Sequence, residues 1–219
     1  LVGARPVETG ETWLDMSAGP GGKAAVFAAL AQAHGATLQA NDISEHRVKL
    51  VSQALRVVDE DVWFTSVADG SALAEVPANT QRFDRILLDA PCTGLGALRR
   101  RPESRWRRTP QDLATLTQLQ ARLLDAAVAM LKPGGLLAYV TCSPHIAATQ
   151  LQVSDVIKRH PQMELLDSAA AMQHVAKHRD DESVLARESI TADDTDANTA
   201  QLWPDLHHTD AMFFALLTH

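Results

Sequence analysis

Thr12-Trp13-Leu14-Asp15-Met16-Ser17-Ala18-Gly19-Pro20-Gly21-Gly22-Lys23 is the stretch that decides the fold. Residues 12–15 form a short apolar run ending in a carboxylate, the pattern of a buried strand. Residues 23–34 are alanine-rich with apolar side chains at helical spacing, so a helix follows. The turn between them is crowded with glycine, which lets backbone approach a ligand closely. The same alternation continues outward. Residues 36–40 read as a second strand ending at Asn41-Asp42, and Ser44 caps a helix from Glu45 to about Val58. Residues 62–67 and 83–88 read as the third and fourth strands. A long amphipathic helix over 110–131 is stopped by Lys132-Pro133-Gly134-Gly135. Residues 136–140 give a fifth strand, 147–160 a helix, and 164–166 and 211–217 the sixth and seventh strands. Strands alternating with helices predict an α/β fold with a doubly wound, mostly parallel sheet.

With 219 residues, 46% hydrophobic and 21% charged, the chain can bury a full core as one catalytic domain, 1–219. No apolar run approaches the ~18 residues that span a bilayer, so no membrane partner is expected. Two cysteines in this length is the usage of a reducing compartment, which predicts a cytoplasmic protein. The net charge of −7 argues against nucleic acid until its distribution is read. Residues 180–196 carry seven acids and one base, and read as a solvated excursion within a poorly patterned stretch of about 168–202. Arg99, Arg100, Arg101, Arg105, Arg107 and Arg108 put six arginines into ten residues, with Trp106 among them. Such a run is often only a solvated face. The interleaved indole, able to stack on a base, favours phosphate and base contact by Arg99, Arg100, Arg101, Arg105 and Trp106.

The glycine loop has three readings. A P-loop needs glycine at position 17 and Ser or Thr after Lys23; Ser17 and Ala24 stand there. A dinucleotide fingerprint finds Gly19-x-Gly21 with Ala24 third, so a nicotinamide enzyme stays a rival. S-adenosyl-L-methionine binds a similar first loop without a pyrophosphate. Asp15, Asp42, Asp69 and Asp89 all fall at strand ends. One such residue is usually a cap, but four suit a cationic sulfonium and repel a pyrophosphate. Asp42 is placed to accept from ribose hydroxyls and Asp69 from an adenine amino group.

The only cysteines lie in Asp89-Ala90-Pro91-Cys92-Thr93-Gly94 and Thr141-Cys142-Ser143-Pro144, each just past a strand. In an open parallel sheet the ligand crevice lies at the carboxyl ends of strands, so both thiols are candidates for chemistry. The bland reading is two small buried hydrophobes. The residues alone do not choose an attacking sulfur, and Cys92 and Cys142 stay open. His174 and His178 share helical spacing but lack a third ligand, so no metal is expected.

The chain resembles the RNA 5-methylcytosine methyltransferases of the NOL1/NOP2/sun type. Asp15 through Lys23, Asp89 through Gly94 and Thr141 through Pro144 match three of that family's motifs. Leu95-Gly96-Ala97-Leu98-Arg99-Arg100-Arg101-Pro102 and His208-Thr209-Asp210-Ala211-Met212-Phe213-Phe214 resemble its bacterial small-subunit ribosomal RNA branch. Ser17 stands where the family commonly has Cys, and His207-His208 where His-Gly is frequent. The resemblance implies a Rossmann-like class I S-adenosylmethionine-dependent fold with a seven-stranded sheet. It implies a monomer, and an N-terminal RNA-binding domain ahead of Leu1. Ser17, Ala18, Gly19, Pro20, Gly21, Gly22 and Lys23 would wrap the methionine part of the cofactor. Asp42 and Arg47 would hold the ribose, Asp69 would face adenine, and Asp89 would sit between cofactor and base. Cys142 would attack and Cys92 would help release. The implied reaction methylates carbon 5 of a cytosine in small-subunit ribosomal RNA. A transfer-RNA substrate and an inactive RNA-binding or assembly protein are the alternatives.

Overall fold

The computed structural model describes residues 1–176 and 198–219. The chain divides into two compact units: residues 1–89, 123–138 and 219, and residues 90–122 and 139–218.

The first unit holds β1 (Thr12–Asp15), α1 (Gly22–His34), β2 (Thr37–Asp42), α2 (Glu45–Leu55), β3 (Trp63–Val67) and β4 (Phe83–Asp89). It also holds the start of β5 (Leu131–Thr141), and its strands lie in the order β3-β2-β1-β4-β5. β1 pairs in parallel with both β2 and β4, with Leu14 opposite Gln39 on one side and Ile86 on the other. Chain order therefore reverses beside β1, and such a switch point opens a crevice at the carboxyl ends of strands. The core follows from the apolar pattern. Ala24, Phe27, Ala28 and Ala31 are the buried stripe of α1, and Phe27 stacks on Trp13 with centroids 4.7 Å apart. Ser44 caps α2 as expected, accepting from the Arg47 N–H.

Beneath this core lies an ion pair with no clear sequence signal. Arg85, fully buried, donates from Nε to Glu11 Oε2 at 2.6 Å and from Nη1 and Nη2 to the carbonyls of Leu1 and Pro6. Burial works against the Glu11 carboxylate, but hydrogen bonds from Arg85 hold its pKa down to about 2. An unpaired charge there would be strongly destabilising; the saturated donor set makes burial tolerable.

The second unit holds α3 (Ser104–Arg107), the end of β5, α5 (Gln150–Arg159), β6 (Glu164–Leu166), α6 (Ser168–Ala176), β7 (Ala200–Leu202) and β8 (Met212–Thr218). α4 (Pro110–Met130) runs through both units. β8 takes β6 and β7 as antiparallel partners. Three expectations are corrected here. All seven expected strands form, and β7 is an eighth among the described residues; with three residues, all buried, it is too short for alternation to show. The stretch read as a loop over 168–202 begins with helix α6 and ends with β7, and residues 177–197, with the acidic run, lie outside the described residues. The loop expected at 132–135 is instead the start of β5, where the Gly134 N–H donates to the carbonyl of His219 at 2.7 Å. His208, standing where the family often has glycine, takes a left-handed conformation at φ +53°. That conformation costs an L-residue about 1–2 kcal/mol.

Candidate active site

Within the first unit, the ends of β1, β2 and β4 gather three carboxylates around the glycine loop. Asp15 is 1% exposed. Its Oδ1 accepts from the Ser17 N–H at 3.2 Å, while Oδ2 is buried with no protein partner. Burial raises its pKa to about 7, the charges of Asp89 and Asp42 push the same way, and the Ser17 N–H and Lys23 oppose them. Asp42 accepts from the N–H groups of Gly19 (3.1 Å) and Ser44 (3.0 Å), with Arg47 Nη1 at 3.2 Å. Arg47 Nη2 returns to the Gly19 carbonyl at 2.6 Å. Gly19 is thus clamped from both sides. A Cβ there would lie 2.6 Å from Asp42 Oδ2 and 2.7 Å from Arg47 Nε, so glycine is required by close approach. Lys23 is bonded to Asp89. Asp69 is exposed and accepts from the N–H and hydroxyl of Ser71, shaping the turn after β3.

Within the second unit the two sulfurs lie 3.1 Å apart and both cysteines are half-buried. Cys92 also accepts from the Gly94 N–H at 3.4 Å. Its pKa falls to about 6, first because of the hydrogen bond with Cys142; burial opposes this, and backbone N–H groups assist. A thiol lowered this far is substantially thiolate at neutral pH. The strand ends are strapped in place. The Ala90 N–H donates to Val140 O at 2.8 Å, Gln120 Nε2 to Pro91 O at 2.9 Å, and Arg108 Nε to Thr93 O at 3.0 Å. The Gly96 N–H donates to Cys142 O at 3.0 Å, and the Ala211 N–H to Gly96 O at 2.8 Å.

The arginine run separates into two kinds. Arg101 and Arg105 are exposed, and Trp106 is 83% exposed with the Arg105 guanidinium 5.7 Å from its ring centre. Arg100 differs from expectation: its guanidinium donates through Nε at 2.8 Å and through Nη2 to Asp210 Oδ2. Arg99 reaches Asp210 at 3.8 Å. Asp210 is 7% exposed, and the Arg100 hydrogen bonds hold its carboxyl below the usual range.

A strand–glycine-loop–helix with three clustered carboxylates and a pair of touching thiols is an unusual combination. A sequence model of the family described as 16S rRNA methyltransferase RsmB/F matches residues 5–218. The chain belongs to that family. It is 44% identical over 94% of its length to Rv1407 of Mycobacterium tuberculosis, a protein to which methyltransferase activity is ascribed, covering 40% of that protein. It is 38% identical to ribosomal RNA small subunit methyltransferase B of Yersinia pseudotuberculosis, over 74% of this chain and 37% of that protein. The crystal structure of NSun6 from Pyrococcus horikoshii with SFG superposes with a TM-score of 0.73 at 25% identity, over 95% of this chain and 47% of that one. The chain spans about 40% of the length of the curated relatives. Its fold is the Rossmann-like α/β fold of these methyltransferases.

Ser17, Gly19, Lys23, Asp42, Arg47 and Asp89, all expected at a cofactor site, are brought together, although Asp42 and Arg47 bind the loop and each other and Lys23 binds Asp89. Asp69 serves its own turn. Sequence reasoning noticed Asp15 only as one strand end among four and left it out of the site. It missed Gln120, Arg108 and Asp210 as supports, since their role arises from carbonyls and charges remote in sequence. Among the described residues, no group of three His, Cys, Asp or Glu side chains is placed to hold a metal, and no helix is long and apolar enough to cross a membrane. His178 lies outside those residues.

Proposed function

We propose that this chain is the catalytic part of an enzyme that methylates carbon 5 of a cytosine in small-subunit ribosomal RNA, using S-adenosyl-L-methionine. The observation that carries the reading is the pair of sulfurs 3.1 Å apart in a member of the RsmB/F family. Small-subunit RNA as substrate follows from the family description and from the Yersinia relative's name.

The residues of the glycine loop fit the cofactor. Asp15 Oδ2 is a buried acceptor with no protein partner, and Asp42 and Asp89 add negative charge suited to a sulfonium. Ser17, Ala18, Gly19, Pro20, Gly21, Gly22 and Lys23 would hold its methionine part, Asp42 and Arg47 its ribose, and Asp69 its adenine. When bound, S-adenosyl-L-methionine supplies an electrophilic methyl group. The chain's own residues must make carbon 5 nucleophilic. The Cys142 thiolate adds to carbon 6 of cytosine, which takes up the 5,6 double bond, ends the ring's aromaticity and gives carbon 5 enamine character. After methylation, the Cys92 thiolate takes the carbon 5 proton, the ring double bond reforms and the Cys142–carbon bond breaks, releasing the Cys142 thiolate. Cys92 assists that elimination. Asp89 faces the N3 and amino edge of the base, and Arg99, Arg101, Arg105 and Trp106 contact the RNA.

A second reading is favoured by one observation: the Cys142 sulfur and the Gly94 N–H both lie within hydrogen-bond reach of Cys92 Sγ, and such contacts lower the pKa of that thiol. On that reading Cys92 attacks. Trapping separates the two. With full-length protein, RNA and cofactor, Cys142→Ala should lose methylation and form no adduct. Cys92→Ala should accumulate a protein–RNA adduct that survives denaturing electrophoresis. The reverse pattern makes Cys92 the nucleophile, and intact methylation in both variants without adduct would refute covalent catalysis.

A further inference from the structure

Asp210 has no role in the proposed reaction, yet it closes a ring of contacts that begins at Cys142. The Cys142 carbonyl accepts from the Gly96 N–H at 3.0 Å, and the Gly96 carbonyl accepts from the Ala211 N–H at 2.8 Å. Asp210, next in chain to Ala211, holds Arg100. Arg100 returns to the start, because its own N–H donates to Ala97 O at 3.0 Å, one residue after Gly96. The ring is tight. A Cβ on Gly96 would lie 2.2 Å from Ala211 O and 2.6 Å from Cys142 O, both backbone atoms that cannot move aside. The peptide of Cys142 is therefore gripped by the 95–101 turn, and that turn is anchored at its far end by one buried carboxylate. Arg100 is 62% exposed, so the pair's strength is screened, but its two donors fix one geometry on Asp210.

We propose that Asp210 is a positioning residue for Cys142, acting through Arg100 and Gly96, and that Arg100 serves this anchor rather than RNA phosphate. The inference rests on the reading of Cys142 as the attacking sulfur. Placement errors near 1 Å cost about 100-fold in favourable cases. Partial loosening of one anchor is expected to lower kcat about 10-fold.

The test uses full-length Asp210→Asn, Arg100→Gln, the double variant and Asp210→Glu. Two readouts are followed: methylation kinetics, and amide hydrogen exchange at Gly96 and Ala211. Asp210→Asn and Arg100→Gln should each lower kcat about 10-fold with KM for RNA unchanged. The double variant should be no worse than the poorer single, and Asp210→Glu should recover part of the loss. Exchange at Gly96 and Ala211 should quicken at least 10-fold in both singles while the amides of α5 stay protected. Arg105→Gln should leave exchange at Gly96 unchanged. Exchange needs neither RNA nor cofactor, so it reports on the anchor even if the proposed reaction is wrong. Unchanged exchange in both singles overturns the proposal. So does a raised KM with a flatter salt dependence in Arg100→Gln alone, which would return Arg100 to phosphate contact.

Discussion

Asp15 and Cys92 both stand at or just past a strand's carboxyl end, one buried and one half-buried, and their acidities move in opposite directions. Burial disfavours the charged form of each. Asp15 has one donor, the Ser17 N–H, and the negative charges of Asp42 and Asp89, so burial wins and its pKa rises to about 7. Cys92 has the Cys142 thiol and the Gly94 N–H, so donors win and its pKa falls to about 6. The number and sign of the groups pointing at a buried atom decide its charge, and burial sets only the starting penalty.

The largest expected effect comes from removing the acid whose burial is uncompensated. The Asp15 carboxyl titrates near 7 when folded and near 4 when unfolded. The native state thus holds its proton over that window, so this group's contribution is fully present below about pH 4 and is lost as pH rises through 7. Asp15→Asn carries no charge to desolvate. It should stabilise the protein at pH 8 by up to about 4 kcal/mol, three units at 1.36 kcal/mol each, with the gain vanishing below about pH 4. Urea midpoints of the two proteins across pH 4–8 measure this. A difference that does not change with pH would break the comparison.

The next effect tests the donors. Cys142→Ala removes the first cause of the low Cys92 value. The pH midpoint for alkylation of Cys92 should move from about 6 toward the ordinary thiol value of about 8.5. Peptide mass spectrometry after iodoacetamide treatment follows it. A midpoint still near 6 would mean that backbone donors suffice.

The smallest effect sharpens the account of sign. Lys23 and Asp89 are bonded to each other and act on Asp15 in opposite senses. Lys23→Met should raise the Asp15 titration and Asp89→Asn should lower it, each by less than about one unit. Carboxyl carbon chemical shifts against pH give both directions. Shifts of the same sign would show that local packing, rather than charge, controls Asp15.

Residues 12–23 made the first strand, loop and helix legible because apolar period and glycine placement are local properties. The same holds for the seven strands read in advance and for the Ser44 cap. The eighth strand was hidden because Ala200–Leu202 has no period of its own and exists by pairing with β8. The joint at Leu131 was hidden because Pro133 and Gly134 ordinarily mark a loop, and here the chain's last residue supplies the partner. In the candidate site, residue types were legible and their partners were not. The arginine run reads as uniform, yet Arg100 and Asp210 are 110 residues apart and only folding turns Arg100, with Arg99 beside it, toward a buried acid.

The sequence by itself determined the alternation of strands and helices, the glycine loop, the four strand-end acids and the two thiols, because each is a matter of composition and short-range spacing. Tertiary structure alone decided that the sulfurs touch, that the pKa of the Cys92 thiol is lowered and that Asp15 Oδ2 lacks a protein partner. It also decided that Arg85 anchors the first unit through Glu11 and the carbonyls of residues 1–6. Those outcomes depend on distances between atoms remote in the chain and on which donors reach a buried group, and no periodicity encodes either.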